Sequence, residues 1–562
     1  MSAVAGDRGS PVGRAAGIWP WLAAVGVGLV ALAACLWRLM PGLGFWDTAE
    51  FQMVLPLMGT AHPTGYPTYV LIGWLAGVLL QPLGDAALRM NVLSAILVAV
   101  GAAFTVDLAR RLSGSLVFGI AAGLGIALTP IVWAVGTHAD PHALHFALLA
   151  IILWLLVRWE GARRALAQTP DEVGDAAAPD ASAPDASAAA ATRRADRLLL
   201  AAASVVGVSV GNHSLTLLLG PPILLYIWTV EPGIFGRRRF VAACAAAFAI
   251  PTVLIRFEMV LRAGWFRAPF VYADPSTWGG FWYITLGQQF HDWFTNPLAD
   301  WPKRISDLIA MGASQLGPLA PLVVIAFLVT VVRRRTYAIL SGTLFAITCF
   351  FNSVYPDGAI DRYYIGPALL AWTWLAILGS TAVDAVVGFE AGRFGGRRWT
   401  ATGVALLLGA LLLAPTAGAF PSRAGAVDRT GDHAAERWVD ELLAVLEPNA
   451  VVVSWWSYST PLWYATIVDG RRPDITIIDD RTRVDCNLLE LARVIDLYLP
   501  THPVYLIRNG SSELPALVGR FQVMPIGAAT AGNVLRVLPL DGSSEGAPGS
   551  APEPPRCPAI QG

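Results

Sequence analysis

The chain is 562 residues long, 55% hydrophobic and only 14% charged, with 21 Trp and a formal net charge of −1. A soluble globular chain carries about 25% charged residues, so a soluble fold is excluded, and the near-zero net charge offers no electrostatic footprint for a nucleic acid. The five cysteines, at 35, 244, 349, 486 and 557, form no CxxC pair and suggest no disulfide framework.

Taken in order, residues 1–16 read as a tail preceding an apolar run over 17–37. Its segment 32-LAAC-35 is similar to a lipoprotein cleavage box, but the run is long for a signal peptide and many others follow, so it reads as a membrane span. Spans are predicted near 17–38, 88–109, 114–135, 143–159, 198–211, 214–230, 239–261, 312–332, 337–351, 363–385 and 400–419, about eleven in all. Residues 66–83 are apolar but shorter, bounded by Pro67 and Pro82-Leu83-Gly84, and fit an interfacial or re-entrant segment.

Arginine placement decides how that segment is counted. Basic residues cluster at Arg8/Arg14, Arg110/Arg111, Arg158 to Arg197, Arg237 to Arg239, Arg333 to Arg335 and Arg393 to Arg398. Excluding 66–83 puts every cluster on one side; counting it as a span scatters them. The positive-inside rule then predicts a cytoplasmic tail over 1–16, a transmembrane domain over 17–420 with a first outer loop over 39–87, and a disordered cytoplasmic loop over 160–196 carrying the repeat 178-APDASAPDAS-187. Beyond it comes an extracytoplasmic domain over 421–541. Residues 433–446 and 487–498 read there as helices, and 450–456, 474–479 and 503–507 as strands, which makes a small α/β unit. A disordered Gly/Ser/Pro-rich tail over 542–562 ends the chain.

The outer face gathers the chemistry. The first loop holds 45-FWDTAEFQMVLPLMGTAHPTGYPTY-69. On a helix Asp47 and Glu50 point the same way, although Asp47 followed by Glu50 also fits a capping box. His62-Pro-Thr-Gly-Tyr-Pro67 is a rigid turn that offers His62 and Tyr66, or simply a structural turn with an interfacial Tyr. The third loop, 136-GTHADPHALH-145, places His138, Asp140 and His142 at spacings compatible with a divalent cation or with solvated interfacial histidines. Asn212-His213, Arg262 and Asp361-Arg362-Tyr363-Tyr364 lie at span ends on the same face. Carboxylates can take a proton from an attacking hydroxyl, and Arg can hold a phosphate bidentately. That set suits group transfer from a lipid phosphate, and no P-loop or dinucleotide fingerprint points to a soluble nucleotide donor.

The run from Trp46 through 62-HPTGYP-67 to 88-LRMNVLSA-95 resembles the GT-C glycosyltransferase superfamily. It is closest to the branch that includes the eukaryotic transmembrane protein O-mannosyltransferase, whose motifs are an acidic D-x-x-E, then H-P-P-G-Y-P, then R-x-N-x-L-S. Further similarity lies in 211-GNHSLT-216, 274-DPSTWGGFW-282 and the Trp-rich 452–475, over roughly residues 20–480. The resemblance implies a GT-C α-helical polytopic fold and inverting transfer of a sugar, mannose or another hexose, from a polyprenyl-phosphate donor to a hydroxyl of a protein or glycan. It implies Asp47 as general base and Glu50 as its catalytic companion. His62, Tyr66, His138, Asp140, Asn212, His213 and Arg362 would line the donor and acceptor sites, with Arg262 on the donor phosphate. The chain departs at Thr64, where the motif has its second Pro, and at 140-DPHAL-144, where the family usually reads E-V-Y-A-L. No cofactor is assigned; a divalent cation is compatible. The arginine-rich, lysine-poor composition suggests a bacterial inner membrane. A lipid-linked sugar flippase would instead need charges deep inside spans and an internal repeat. A noncatalytic assembly protein would tolerate loss of Asp47.

Overall fold

The computed structural model describes residues 17–167, 186–296, 299–355, 358–394, 398–507, 512–526 and 534–540. The expected tails over 1–16 and 542–562, and the centre of the expected disordered loop, lie outside them.

Eight helices among the described residues are long and apolar enough to cross a membrane, fewer than the eleven expected. They include α1 (Trp19–Trp37), α4 (Ala86–Ser113), α7 (Pro141–Ala167) and α10 (Arg238–Val260). Large apolar side chains such as Leu254 and Val332 face outward, as a lipid surroundings requires. The three shortfalls have local causes. The span expected over 114–135 is cut into α5 (Leu116–Ala127) and α6 (Pro130–Val135), because Pro130 has no N–H to continue the first helix. The segment 214–230 opens as a 3-10 turn (Ser214–Leu219) before α9 (Gly220–Val230). The third, 198–211, is the end of α8 (Ala186–Val210), whose first half carries Arg193, Arg194, Asp196 and Arg197. Residues 160–167 and 186–196, expected to be disordered, are helical: they continue α7 and open α8.

The first loop folds back on the bundle. Here α2 (Trp46–Leu57) and α3 (Pro67–Leu79) form a hairpin. At 13 residues α3 is roughly 20 Å long, too short to cross. Arg89 near the start of α4 donates to the Gly77 carbonyl near the end of α3 at 2.5 Å, which holds the end of α3 against α4. The arginine clusters accordingly gather at one end of the bundle, where Arg163 pairs with Glu231, Arg164 with Glu160, and Arg334 donates to the Leu112 carbonyl.

The R-x-N-x-L-S residues tie the opposite end together. Asn91 donates to the carbonyls of Met40 (3.0 Å) and Gly42 (3.2 Å) and accepts from the Ala139 N–H (2.9 Å) and Gln52 Nε2 (2.9 Å). Ser94 Oγ accepts from the Asp140 N–H at 3.1 Å. One turn of α4 thus fixes the first and third loops against each other.

Beyond the last span, a five-stranded sheet has the order β2-β1-β3-β5-β4. Its strands are β1 (Val451–Val453), β2 (Thr476–Ile478), β3 (Val504–Ile507), β4 (Phe521–Pro525) and β5 (Val534–Pro539). The first three are parallel; β5 and β4, not visible in the sequence pattern, are antiparallel. Strand alternation divides the core. Val451 and Val453 face the domain's own cluster with Leu491 and Ile495, whereas Val452, Ile477 and Tyr505 join the hydrophobic core that runs on into the membrane bundle.

Candidate active site

Asp47 lies in the first turn of α2, but Phe45 occupies the N-cap and no side chain caps the helix. The capping box allowed by the Asp47/Glu50 spacing does not form. Instead Asp47 Oδ2 accepts from Arg362 Nη2 at 3.3 Å and Oδ1 from Trp456 Nε1 at 3.3 Å. Its side chain is 31% exposed. Burial works against its charge, but His62 and Arg362 outweigh burial and hold the carboxyl below its usual range.

Glu50, one turn on, is fully buried. It accepts from the His62 backbone N–H at 2.7 Å and pairs through its other oxygen with His62 Nδ1. Expected as a second catalytic carboxylate, it lies buried behind the imidazole, where it pairs with His62. Burial disfavours the imidazolium, yet Glu50 and Asp47 together lift His62 to about 9. At neutral pH the ring is a cation facing Asp47. Its Nε2 is 3.5 Å from the Tyr66 hydroxyl, and the ring meets Trp456 edge-on with centroids 5.5 Å apart.

The turn between α2 and α3 sets this geometry. Gly65 has φ +78°, and a Cβ there would come within 2.5 Å of Met259 Sδ. Buried Arg256 donates to the Thr64 carbonyl at 2.6 Å and the Val210 carbonyl at 2.8 Å, clamping the turn to α8 and α10. Thr64 in place of the second Pro is accommodated by that clamp, which uses only its carbonyl.

Asp140 is 1% exposed and accepts from Arg362 Nη1 at 3.1 Å and from both the backbone N–H and Nδ1 of His142 at 2.8 Å. Burial opposes its charge, but Arg362, His142 and His138 keep the carboxyl far below its usual range. Arg362 therefore bridges the carboxylates of the first and third loops. His138 stands 3.7 Å from Asp140, yet burial pushes it down to about 4, leaving it neutral. His213 sits among three rings, tilted against His142 (5.1 Å between centroids) and edge-on to Tyr363 (5.3 Å) and Tyr66 (5.6 Å). Asn212 Nδ2 donates to the Pro141 carbonyl at 3.1 Å, while its Oδ1 is buried without a partner.

Arg262 is not brought to these carboxylates. Its Nε pairs with Glu258 at 2.7 Å and its guanidinium meets Met58, at the far end of α2 from Asp47. Around it Trp265, Phe266 and Trp278 are exposed, an aromatic belt of the kind found at lipid headgroups. Asp47, Glu50 and His62 could each offer one metal ligand, those atoms lying within 4.8 Å of one another. The Glu50 and His62 ligands pair with each other, so a cation bound there would compete with that pair.

Residues 47–232 match the family model of the protein O-mannosyl-transferase TMEM260 N-terminal domain. The chain thus holds a segment similar to that N-terminal domain, within a GT-C type fold. The mouse protein O-mannosyl-transferase TMEM260 is 33% identical over 168 residues, 28% of this chain. That match spans only 23% of the mouse protein's length. The fold is also that of ArnT from Cupriavidus metallidurans, solved with undecaprenyl phosphate, at 15% identity and TM-score 0.53 over 95% of this chain and 100% of the other. The apo form of ArnT gives 13% identity and TM-score 0.52 over 94% and 99%. Within the matched segment 47–232 fall Asp47, Glu50, His62, Tyr66, Asp140 and His213. Arg362 and Trp456 reach the same site from outside it. Trp456 was not singled out as a site residue from sequence; its only signal was its place in the Trp-rich run.

Proposed function

We propose that the chain is an inverting glycosyltransferase that moves a sugar, mannose or another hexose, from a polyprenyl-phosphate donor to a hydroxyl of a protein or glycan on the extracytoplasmic side of a bacterial inner membrane. The observation that carries this reading is Asp47: an ionised, part-exposed carboxylate held between Arg362 and Trp456 where the bundle meets the C-terminal domain. The name of the mouse relative and the lipid phosphate held by ArnT support the reaction class and donor. The arginines at the opposite end support the orientation.

In this mechanism Asp47 accepts the proton of the acceptor hydroxyl as its oxygen attacks the anomeric carbon. The bond from that carbon to the phosphate oxygen breaks on the opposite face, and its electrons leave with the polyprenyl phosphate. The leaving group is already an acid anion, so it needs charge stabilisation more than protonation. The His62 imidazolium, held charged by Glu50, supplies a cation at the site. Arg262, expected on the donor phosphate, lies against Met58 and Glu258 away from Asp47, so in this reading the phosphate falls to His62. Tyr66, His213, His138 and Asn212 shape the apolar-walled pocket around donor and acceptor, and Asp140 holds Arg362.

The test is release of polyprenyl phosphate from a panel of radiolabelled polyprenyl-phosphate sugars, each with candidate peptide and glycan acceptors. Turnover by the native protein that vanishes in Asp47→Asn supports both the transferase and its base, and the active donor names the sugar. Equal turnover by Asp47→Asn would remove the catalytic assignment.

A further inference from the structure

At the end of the bundle remote from Asp47, four arginines converge, and among the described residues no carboxylate lines the space between them. A cavity of about 290 Å³ is lined by Arg158 of α7 and by Ala190, Arg193, Arg194, Arg197 and Leu198 of α8. On α8 the spacing 190, 193, 194, 197 is one helix face, so all three of its arginines turn toward the same opening. Several other arginines of this end are neutralised: Arg110 and Arg111 by Asp107, Arg163 by Glu231, Arg164 by Glu160, Arg237 by Asp196 and Arg333 by Asp384. Among the described residues, Arg158, Arg193, Arg194 and Arg197 have no such partner. Arg158 feels Arg111 and Arg194 as like charges, and the nearby Asp107 is already shared by two arginines. A positive-inside bias accounts for basic residues at this end. It does not account for four of them facing one another across a cavity, where like charges at four-residue spacing cost helix stability.

The depth of the cavity indicates its occupant. Arg158 is 17 residues along α7 from Pro141 at the catalytic end, roughly 26 Å at 1.5 Å per residue. That is close to the ~30 Å thickness of a hydrocarbon core, so its guanidinium stands at headgroup level in the opposite leaflet. Trp154, one turn toward the bilayer centre, lies under the guanidinium with 4.4 Å between carbon and ring centroid. Leu198 adds an apolar wall. A cavity with guanidinium groups above and apolar side chains below fits a phosphate with an acyl chain attached. Arg also forks onto phosphate oxygens with paired hydrogen bonds.

We propose that this cavity binds the phosphodiester headgroup of one anionic lipid from the leaflet opposite the catalytic site. The site lies outside the reaction centre, and lipid occupancy removes the repulsion between α7 and α8.

The full-length chain, delipidated in a neutral detergent, is titrated with phosphatidylglycerol and followed by native mass spectrometry and thermal unfolding. One lipid is expected to bind the native protein at least tenfold more tightly than phosphatidylcholine does, and to raise its Tm. Arg193→Gln/Arg197→Gln should weaken that binding at least tenfold. Its lipid-free Tm should stay equal or rise, because removing repelling charges relieves strain, and that separates lost binding from lost folding. Arg238→Gln/Arg239→Gln removes equal charge from exposed positions at the same end and should leave binding unchanged. Equal weakening by both double variants, or equal affinity for phosphatidylcholine, would overturn the proposal. Competition by inorganic phosphate at concentrations comparable to the lipid would show that a free anion is the ligand and overturn the lipid assignment.

Discussion

Arg362 is the residue on which the site's electrostatics turn. It touches Asp47 with one nitrogen and Asp140 with another, so two loops and two negative charges depend on one side chain. Replacing Asp47 by Asn should lower kcat about 10²–10⁴-fold, the usual contribution of a positioned base, with little change in donor affinity. Arg362→Gln should act differently. Without its cation the Asp47 carboxyl titrates higher, so the acidic limb of the pH–rate profile should move to higher pH, readable from kcat/KM between pH 4 and 8. His62 governs the alkaline side. Its pKa of about 9 exceeds the ordinary value of about 6.5 for an unfolded histidine. Its stabilising contribution is therefore complete below about pH 6.5 and is lost as pH rises through 9, up to about 3 kcal/mol. Thermal unfolding in detergent from pH 6 to 10 should show that falling limb, and His62→Gln should flatten it. His62 and Asp47 are legible in the sequence as members of a motif. The pairing that makes His62 a cation is not, because it depends on Glu50 being stripped of water, which only packing decides.

At the scale of elements, the motifs divide into chemistry and carpentry. Asn91 meets four partners on three segments and has no access to substrate, although it stands in the same recognisable run as Asp47. Asn91→Ala should leave buried carbonyls and an N–H unpaired and cost about 3 kcal/mol, seen as a lower Tm with the first and third loops loosened together. Gly65 is required for a different reason. Its φ of +78° disfavours any side chain, and a Cβ would collide with Met259 and Ile284. Gly65→Ala should displace the turn carrying His62 and reduce activity more than it reduces stability, which parallel measurement of Tm and kcat separates. That 66–83 is no span was legible from Arg placement; its pairing with α2 as a helix hairpin was not. The break at Pro130 was present in the sequence, but apolar composition on both sides masked it. Strands β4 and β5 were missed because 521-FQVMP-525 and 534-VLRVLP-539 are short and end in proline, and their pairing with each other and with β3 supplies what their own pattern lacks.

The molecule as a whole is two layers that share one core. Val452, Ile477 and Tyr505 of the sheet, with Trp438 and Leu442 beneath it, belong to the same hydrophobic cluster as the membrane bundle. The C-terminal domain should therefore unfold with the outer half of the bundle, and residues 421–541 expressed alone should expose this face and aggregate, as size-exclusion chromatography would detect. Trp456, carried by the helix Trp456–Trp463, completes the site from the domain side through Asp47 and His62. The sequence by itself determined the membrane class, the shortness of the apolar segment 66–83, the candidate residues of the outer loops and the GT-C resemblance. Hydrophobic runs, arginine positions and short motifs are local properties that survive without coordinates. Only the tertiary structure decided that Glu50 serves His62, that Arg362 joins two loops, that Arg262 stands apart from the carboxylates and that Trp456 closes the site. Those four depend on contacts between residues 12 to 409 positions apart, fixed by packing and desolvation, and no local pattern encodes them.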